Sequence, residues 1–451
     1  MKKTTRYFLM MIIIISTFYS ACAPGTDTSE DKTAVKTKQE LTLAICERAY
    51  GRSFWDETVR LFEAENPGYK VTLKIGPNIG DVIRPDIIAG NPPDFINISD
   101  VDPSGVLSAL IQNHGLLELT DVFNGPAYDS AVALRDKIGD GLLESYKCAP
   151  YGDGKIYLAP GAITPAGLVY NKTLFAEHNW DLPVTWNDFF ALGEAAKKEG
   201  LYLFTYQGMY PFHMESLLLP ALASALGSDY EQITDFSPGI WTDERSLYVL
   251  EQISRIYRDG HLLPGSISAN HIDAKAAHMR DSVLFFPGGT WLAAETDAEF
   301  GGANYQMALA PAPVPRAGDE RFIAIRSEQF SIPLAAQNPE AAQLFLRFLY
   351  SDRMAELYAK RSDALMSVKD SLLIARPHLS EGAYNMFRVI NDNKTSPLLI
   401  GFAAIPDDTD IAPCHEIYGP LAKVMTGKMD ALKWAEDIEQ AFREMRCQYD
   451  Y

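Results

Sequence analysis

The stretch Gly154–Phe189, GKIYLAPGAITPAGLVYNKTLFAEHNWDLPVTWNDF, decides how the rest of the chain is read. Its centre, Ala166-Gly167-Leu168-Val169-Tyr170, is a short apolar run of β-prone residues and predicts a strand. The run closes on Asn171-Lys172, a short helix follows over Thr173 to His178, and Pro183 makes a turn. Thr185 then stands as an N-cap before Trp186, Asn187 and Asp188. Strand, short helix, turn and capped helix within one segment predict a crossing from one lobe into a second.

Upstream, strand-like and helix-like segments alternate. Leu41 to Ile45 and Lys70 to Ile75 are strand-like, and Phe54 to Ala64 places Phe54, Trp55, Val59, Leu61 and Phe62 near helical spacing. Asn66-Pro67-Gly68 stops that helix, a second covers Val82 to Ala89, and Asp94 to Ile98 is a third strand. The β-α-β-α-β order is that of a doubly wound sheet. Downstream, Leu201 to Tyr206 and Ser282 to Phe286 are predicted strands, with helices over Glu215 to Leu226 and Glu244 to Asp259. Tyr305 to Pro313 has the look of a returning extended crossover, followed by a strand at Phe330 to Pro333 and an amphipathic helix from Pro339 to Leu349. The fold class is α/β: two lobes, each a doubly wound sheet flanked by helices, joined by a hinge.

Tyr170-Asn171-Lys172, Pro183-x-Thr185-Trp186 and the helix Pro339-Glu340-Ala341-Ala342 with Phe345, Phe348 and Leu349 resemble the family 1 extracellular solute-binding proteins, the sugar receptors of ABC importers. The resemblance implies lobes that are discontinuous in sequence: residues 41–153 with 308–351 in the first, and 154–307 with 352–451 in the second. It further implies a carbohydrate ligand and ABC permease subunits as partners, with no catalysis and no cofactor.

Lys2, Lys3 and Arg6, the apolar run Phe8 to Phe18 and then Tyr19-Ser20-Ala21-Cys22 have the layout of a secretory signal peptide over residues 1–21. Small residues before a cysteine resemble a lipobox, which makes Cys22 the lipidated first residue; Tyr19 departs from the usual leucine. Residues 22–40 are polar and without apolar periodicity, as in a flexible tether. The expectation is an extracytoplasmic, membrane-anchored monomer, held to the membrane through lipid alone.

The formal charge is −19, and removing the leader's three cations takes it to −22, which disfavours nucleic acid as a partner. Cys46, Cys148, Cys414 and Cys447 lack any C-x-x-C spacing, so zinc and redox motifs are not expected. Three disulfide pairings and free thiols all stay open.

Catalytic motifs fail individually. No G-x-S-x-G elbow occurs, and Gly419 stands where a zincin helix beginning at His415-Glu416 needs its second histidine. Gly152-Asp153-Gly154-Lys155 lacks phosphate-loop spacing, and the calcium-like opening at Asp100 meets Ile111 where the bidentate Glu belongs. His271 and His278 are expected to be solvent-exposed histidines of one helix face. A secreted carbohydrate-active enzyme with an unseen carboxylate pair remains the rival. A receptor for a polyamine or phosphate ester is the narrower one.

Ligands of open α/β sheets bind beyond the carboxyl ends of strands. The loop after the first strand offers Tyr50 and Arg52, and the loop after the third offers Asp100 and Asp102, whose carboxylates suit sugar hydroxyls when they do not cap the next helix. Thr205 to Phe212 carries Tyr206 and Tyr210, whose rings suit the apolar faces of sugars. Gly288-Gly289-Thr290-Trp291 resembles the family's turn in which a tryptophan stacks on a sugar ring, making Trp291 the leading candidate. Position within the resemblance adds Thr164 and His415.

Overall fold

The computed structural model describes residues 38–47, 51–98, 104–296, 305–391, 394–405 and 411–449. The leader, Cys22, most of the tether, Tyr50, Asp100 and Asp102 lie outside the described residues.

Among the described residues ten strands follow in chain order: β1 Gln39–Cys46, β2 Tyr69–Gly76, β3 Phe95–Ile98, β4 Ala159–Asn171, β5 Tyr202–Phe204, β6 Val283–Gly289, β7 Met307–Ala310, β8 Phe322–Ser331, β9 Leu365–Met366 and β10 Ser396–Leu399. The first lobe is β2-β1-β3, all parallel, extended by the antiparallel end of β8. The second is built on β4, flanked by β6 and β7, with β5 parallel to β6. Two strands are long enough to serve both lobes. Ala159 and Pro160 of β4 face Phe330 and Gln329, whereas Ile163 to Ala166 face Ser327 to Ala324 one residue out of register. At that bulge the backbone carbonyls leave the ladder, and Tyr350 Oη donates to Pro160 O (2.6 Å), Ser367 Oγ also donates to Pro160 O, and Ser367 N donates to Gly161 O (2.9 Å).

The motif that opened the sequence reading has a structural task. Asn171 Oδ1 accepts from Thr173 N (3.0 Å), capping the helix Lys172–Glu177, and from Gln306 N (3.2 Å), while its amide donates to Asp281 (2.9 Å). One side chain thus joins β4, the following helix and the approach to β7. Thr185 and Asp188 form a full capping box on the helix Trp186–Lys198.

Among the described residues three apolar clusters hold the fold. In the second lobe, the helix Ala431–Tyr449 buries Trp434, Ile438, Phe442 and Met445 completely, at spacings of three and four. Each such side chain contributes about 1.5–3 kcal/mol by leaving water.

Three expectations are corrected. Tyr305 to Pro313 is not the returning crossover: β7 stays in the second lobe beside Leu168 to Asn171, and β8 makes the return. The chain after Asp352 does not pass at once to the second lobe, because the helix Asp352–Ser362 packs Met354 and Tyr358 on the first-lobe helix Ser53–Glu65, with Tyr358 edge-on to Phe54 at 4.8 Å. The helix Glu381–Phe387 is where the chain reaches the second lobe; it packs on β7, and Lys172 Nζ donates to Asn385 (3.1 Å). His278 is not exposed. It is fully buried, with Tyr305 Oη at 2.7 Å from Nδ1 and Leu284 O at 3.2 Å from Nε2. A carbonyl only accepts, so Nε2 carries the proton and Nδ1 accepts from the tyrosine. Burial lowers its pKa to about 4.

Candidate functional site

A cavity of about 720 Å³ opens where the two lobes face one another. Leu107, Ile111 and Leu158 wall it from the first lobe. Opposite stand Phe212, Glu215 and the extended segment Ile400 to Ile405, and Arg326, Ser327 and Gln329 of β8 form the floor. The extended segment touches both lobes: Ala403 N donates to Thr234 O (2.9 Å), Ala404 N to Pro150 O (2.9 Å), and the Phe402 ring stacks on Phe236 at 5.6 Å.

Arg326 is the chemical centre of this floor. Its Nε donates to Glu215 Oε1 (3.2 Å) and its Nη2 lies 3.1 Å from the same oxygen. Glu215 opens the helix Glu215–Leu226, where a carboxylate is favoured by the exposed amides of the first turn. The guanidinium carbon lies 5.7 Å from the Phe212 ring centre and 5.8 Å from that of Trp291, within range of cation–π attraction. Burial, with the charge of Glu215 added to it, raises the phenols of Tyr230 and Tyr418 well above their ordinary pKa, so both stay protonated.

The candidates from sequence divide sharply. Trp291 begins the helix Trp291–Thr296, is half-buried, and lies 6.1 Å from the His213 ring. Its placement explains the paired glycines, since a Cβ on Gly289 would sit 2.1 Å from the indole. Thr164 pairs in register with Arg326 on the neighbouring strand and is not among the residues that line the cavity. Tyr210 is 46% exposed and its ring is 6.4 Å from Phe212, at the outer edge of the aromatic group. Tyr206 is a correction: only 1% exposed, it belongs to the second-lobe core, and burial pushes its phenol up to about 12. Arg52 is another, because it pairs with Asp56 (3.0 Å) on the surface at the start of its helix and does not line the cavity. His415 is exposed, whereas its neighbours Pro413 and Cys414 line the cavity. No disulfide joins Cys46, Cys148, Cys414 or Cys447. Among the described residues no cluster of three or more metal-ligating side chains occurs, and no helix is long and apolar enough to cross a membrane.

Arg326, Glu215 and Gln329 were missed from sequence. The available signal was charge interrupting an apolar strand, Phe322-Ile-Ala-Ile-Arg326, and an acidic residue at a helix start.

The fold and the interlobe cavity define a class, and comparison with known proteins names it. Residues 47–356 match the family described as bacterial extracellular solute-binding protein, and the chain belongs to that family. It is 27% identical over 335 residues to the diacetylchitobiose binding protein NgcE of Streptomyces coelicolor, covering 73% of this chain and 70% of that one. It is 25% identical over 457 residues to a maltooligosaccharide ABC transporter solute-binding lipoprotein of Streptococcus pneumoniae, covering 96% and 95%. The structure of apo RafE from Streptococcus pneumoniae superposes with a TM-score of 0.69 at 19% identity, over 91% of this chain and 98% of that one, a likeness of fold.

Proposed function

We propose that this chain is the substrate-binding lipoprotein of an ABC importer, which captures a carbohydrate between its lobes and presents it to the permease. The observation that carries the reading is the interlobe cavity, floored by the Arg326–Glu215 pair and lined by Phe212, with the Trp291 ring 5.8 Å from the Arg326 guanidinium. Aromatic faces pack on the apolar faces of sugar rings, and a charged pair offers a donor and an acceptor for hydroxyl groups. Relatives whose names carry diacetylchitobiose and maltooligosaccharide support a saccharide ligand and differ on which one. Contacts on both lobes stabilise the closed form over the open one, and that difference in affinity drives closure. In this reading the first lobe begins at residue 41, the hinge follows β4 and β8, and Cys22 carries the lipid.

Among the described residues Glu215 is the one carboxylate lining the cavity, and it is paired with Arg326, which favours a receptor over a glycosidase with two opposed carboxylates. Calorimetric titration of the chain against a panel of mono- and oligosaccharides, followed also by tryptophan fluorescence, tests the proposal. Saturation at one ligand per chain without release of reducing ends is the expected result. Failure to bind any saccharide overturns it.

A further inference from the structure

The backbone at Gly401 does not itself call for glycine, since its φ lies outside the left-handed region. The reason for the missing side chain stands on the other lobe. A Cβ at Gly401 would lie 2.6 Å from Lys147 N and 3.1 Å from Lys147 Cα, both backbone atoms of the first lobe.

Gly401 belongs to a strap, residues 400–405, that is mounted on the second lobe. The strap continues β10, Ile400 is buried in that lobe's core, and the Phe402 ring lies nearly parallel to Phe236. Phe236 is held in turn by Phe442, edge-on at 5.0 Å, and by Arg446, whose Nη1 donates to its carbonyl. The turn at residues 145–152, which receives the strap, is mounted on the first lobe. Cys148 O accepts from Tyr157 N (2.9 Å) and Leu158 N (3.2 Å), and Tyr151 Oη donates to Ile111 O (2.7 Å). Between the two mounts stand the bond from Ala404 N to Pro150 O (2.9 Å) and the close approach of Gly401 to Lys147. Tyr146 of the same turn faces the second lobe as well: burial first, and then the charges of Asp235 and Glu231, raise the pKa of its phenol.

We propose that the strap and this turn form a clasp between the lobes, which favours the closed form through contacts that need no ligand, and that Gly401 is the residue that lets the clasp shut. The proposal rests on the closure of two lobes described above. When the lobes separate, the chain parts between Ala404 and Pro150, while the Phe402 stack and the bond from Ala403 N to Thr234 O travel with the second lobe. One backbone hydrogen bond, exchanged for bonds to water, favours the closed form by a factor of about five. A bias of that size acts on the closing equilibrium and so raises the affinity for every ligand alike, whereas the side chains of the cavity choose among ligands.

Site-resolved hydrogen exchange of the full chain without ligand tests the clasp. The amides of Ala403 and Ala404 are neighbours in one strap but bond to different lobes. After correction for intrinsic rates, Ala404 should exchange at least tenfold faster than Ala403, because lobe opening frees the first and not the second. Gly401→Ala, which cannot shut against Lys147, should speed Ala404 by a further factor of about five and leave Ala403 unchanged, with circular dichroism confirming the fold. Equal exchange at the two amides in the unsubstituted chain overturns the clasp, since the strap then leaves both lobes together. A Gly401→Ala chain that alters neither amide, or both alike, overturns it too. No saccharide enters the measurement, so a chain that binds no sugar overturns the proposed function without deciding this result.

Discussion

β4 and β8 lie side by side, antiparallel, and make the same passage between lobes, yet their compositions are opposite. β4 reads APGAITPAGLVYN and carries no charge; β8 reads FIAIRSEQFS and turns polar at Arg326-Ser327-Glu328-Gln329, where it passes under the cavity. One strand is architecture and the other carries both architecture and chemistry. An uncharged strand buried on both faces announces itself in sequence as a strand. A strand whose middle faces a ligand does not, because the polar residues that serve the ligand erase its apolar pattern.

The contrast breaks if substitution in β4 disturbs the ligand more than the fold. The largest expected effect is on stability. A Cβ on Gly167 would stand 2.6 Å from Ala310 O and 2.5 Å from Ile323 Cδ1, and the carbonyl cannot retreat without unpairing β7. Gly167→Val should therefore cost about 3 kcal/mol, seen as a lower urea midpoint.

Next comes acid. His278 packs behind β4 and β6 against Phe286, 4.9 Å between ring centres, and burial holds its pKa at about 4 against 6.5 for the unfolded chain. The unfolded chain takes up a proton that the folded chain refuses, so this stabilisation is whole above pH 6.5 and is lost as pH falls toward 4. Stability should drop by about 2 kcal/mol between pH 7 and 4.5 from this group. His278→Gln, although less stable at pH 7, should show a flatter profile over that range in urea titrations.

On the β8 side, Arg326→Met should weaken saccharide binding tenfold or more, about 1.4 kcal/mol, by calorimetry. Its effect on the urea midpoint should be smaller than that of Gly167→Val, since a partly exposed pair contributes modestly. A larger loss of stability than of affinity would make β8 architectural too. The smallest expected effect belongs to Trp291→Ala, a loss of about 1 kcal/mol in affinity from one stacking contact. Unchanged affinity would return Trp291 to the core it partly covers.

What could be read in the chain follows the same division. The first lobe's alternation and the Thr185 N-cap were legible because each is a local pattern with a local cause, whereas the bonds of Asn171 to Asp281 and Gln306 cross more than a hundred positions and were not. The returning crossover was placed at Tyr305 to Pro313, because Pro311 and Pro313 look extended while the charges of β8 disguise the true strand. Tyr206 and Tyr210 stand four apart in one loop and looked alike; one points into the second-lobe core and the other outward, a choice made by packing alone. The docking of Tyr358 on Phe54 joins residues about three hundred positions apart, beyond any periodicity. Tyr50, Asp100 and Asp102 lie outside the described residues, whereas Leu107, Ile111 and Leu158 carry the first lobe's described share of the cavity.

The one-residue slip between Pro160 and Ile163 has a mechanical meaning. Two ladders with different registers meet there within a single strand, and the peptide groups between them are held from the side by Tyr350 and Ser367. A continuous ladder resists bending because each rung braces the next. Here the bracing is interrupted at one point, so relative rotation of the lobes can gather at a few backbone angles while the sheets on either side keep their shape.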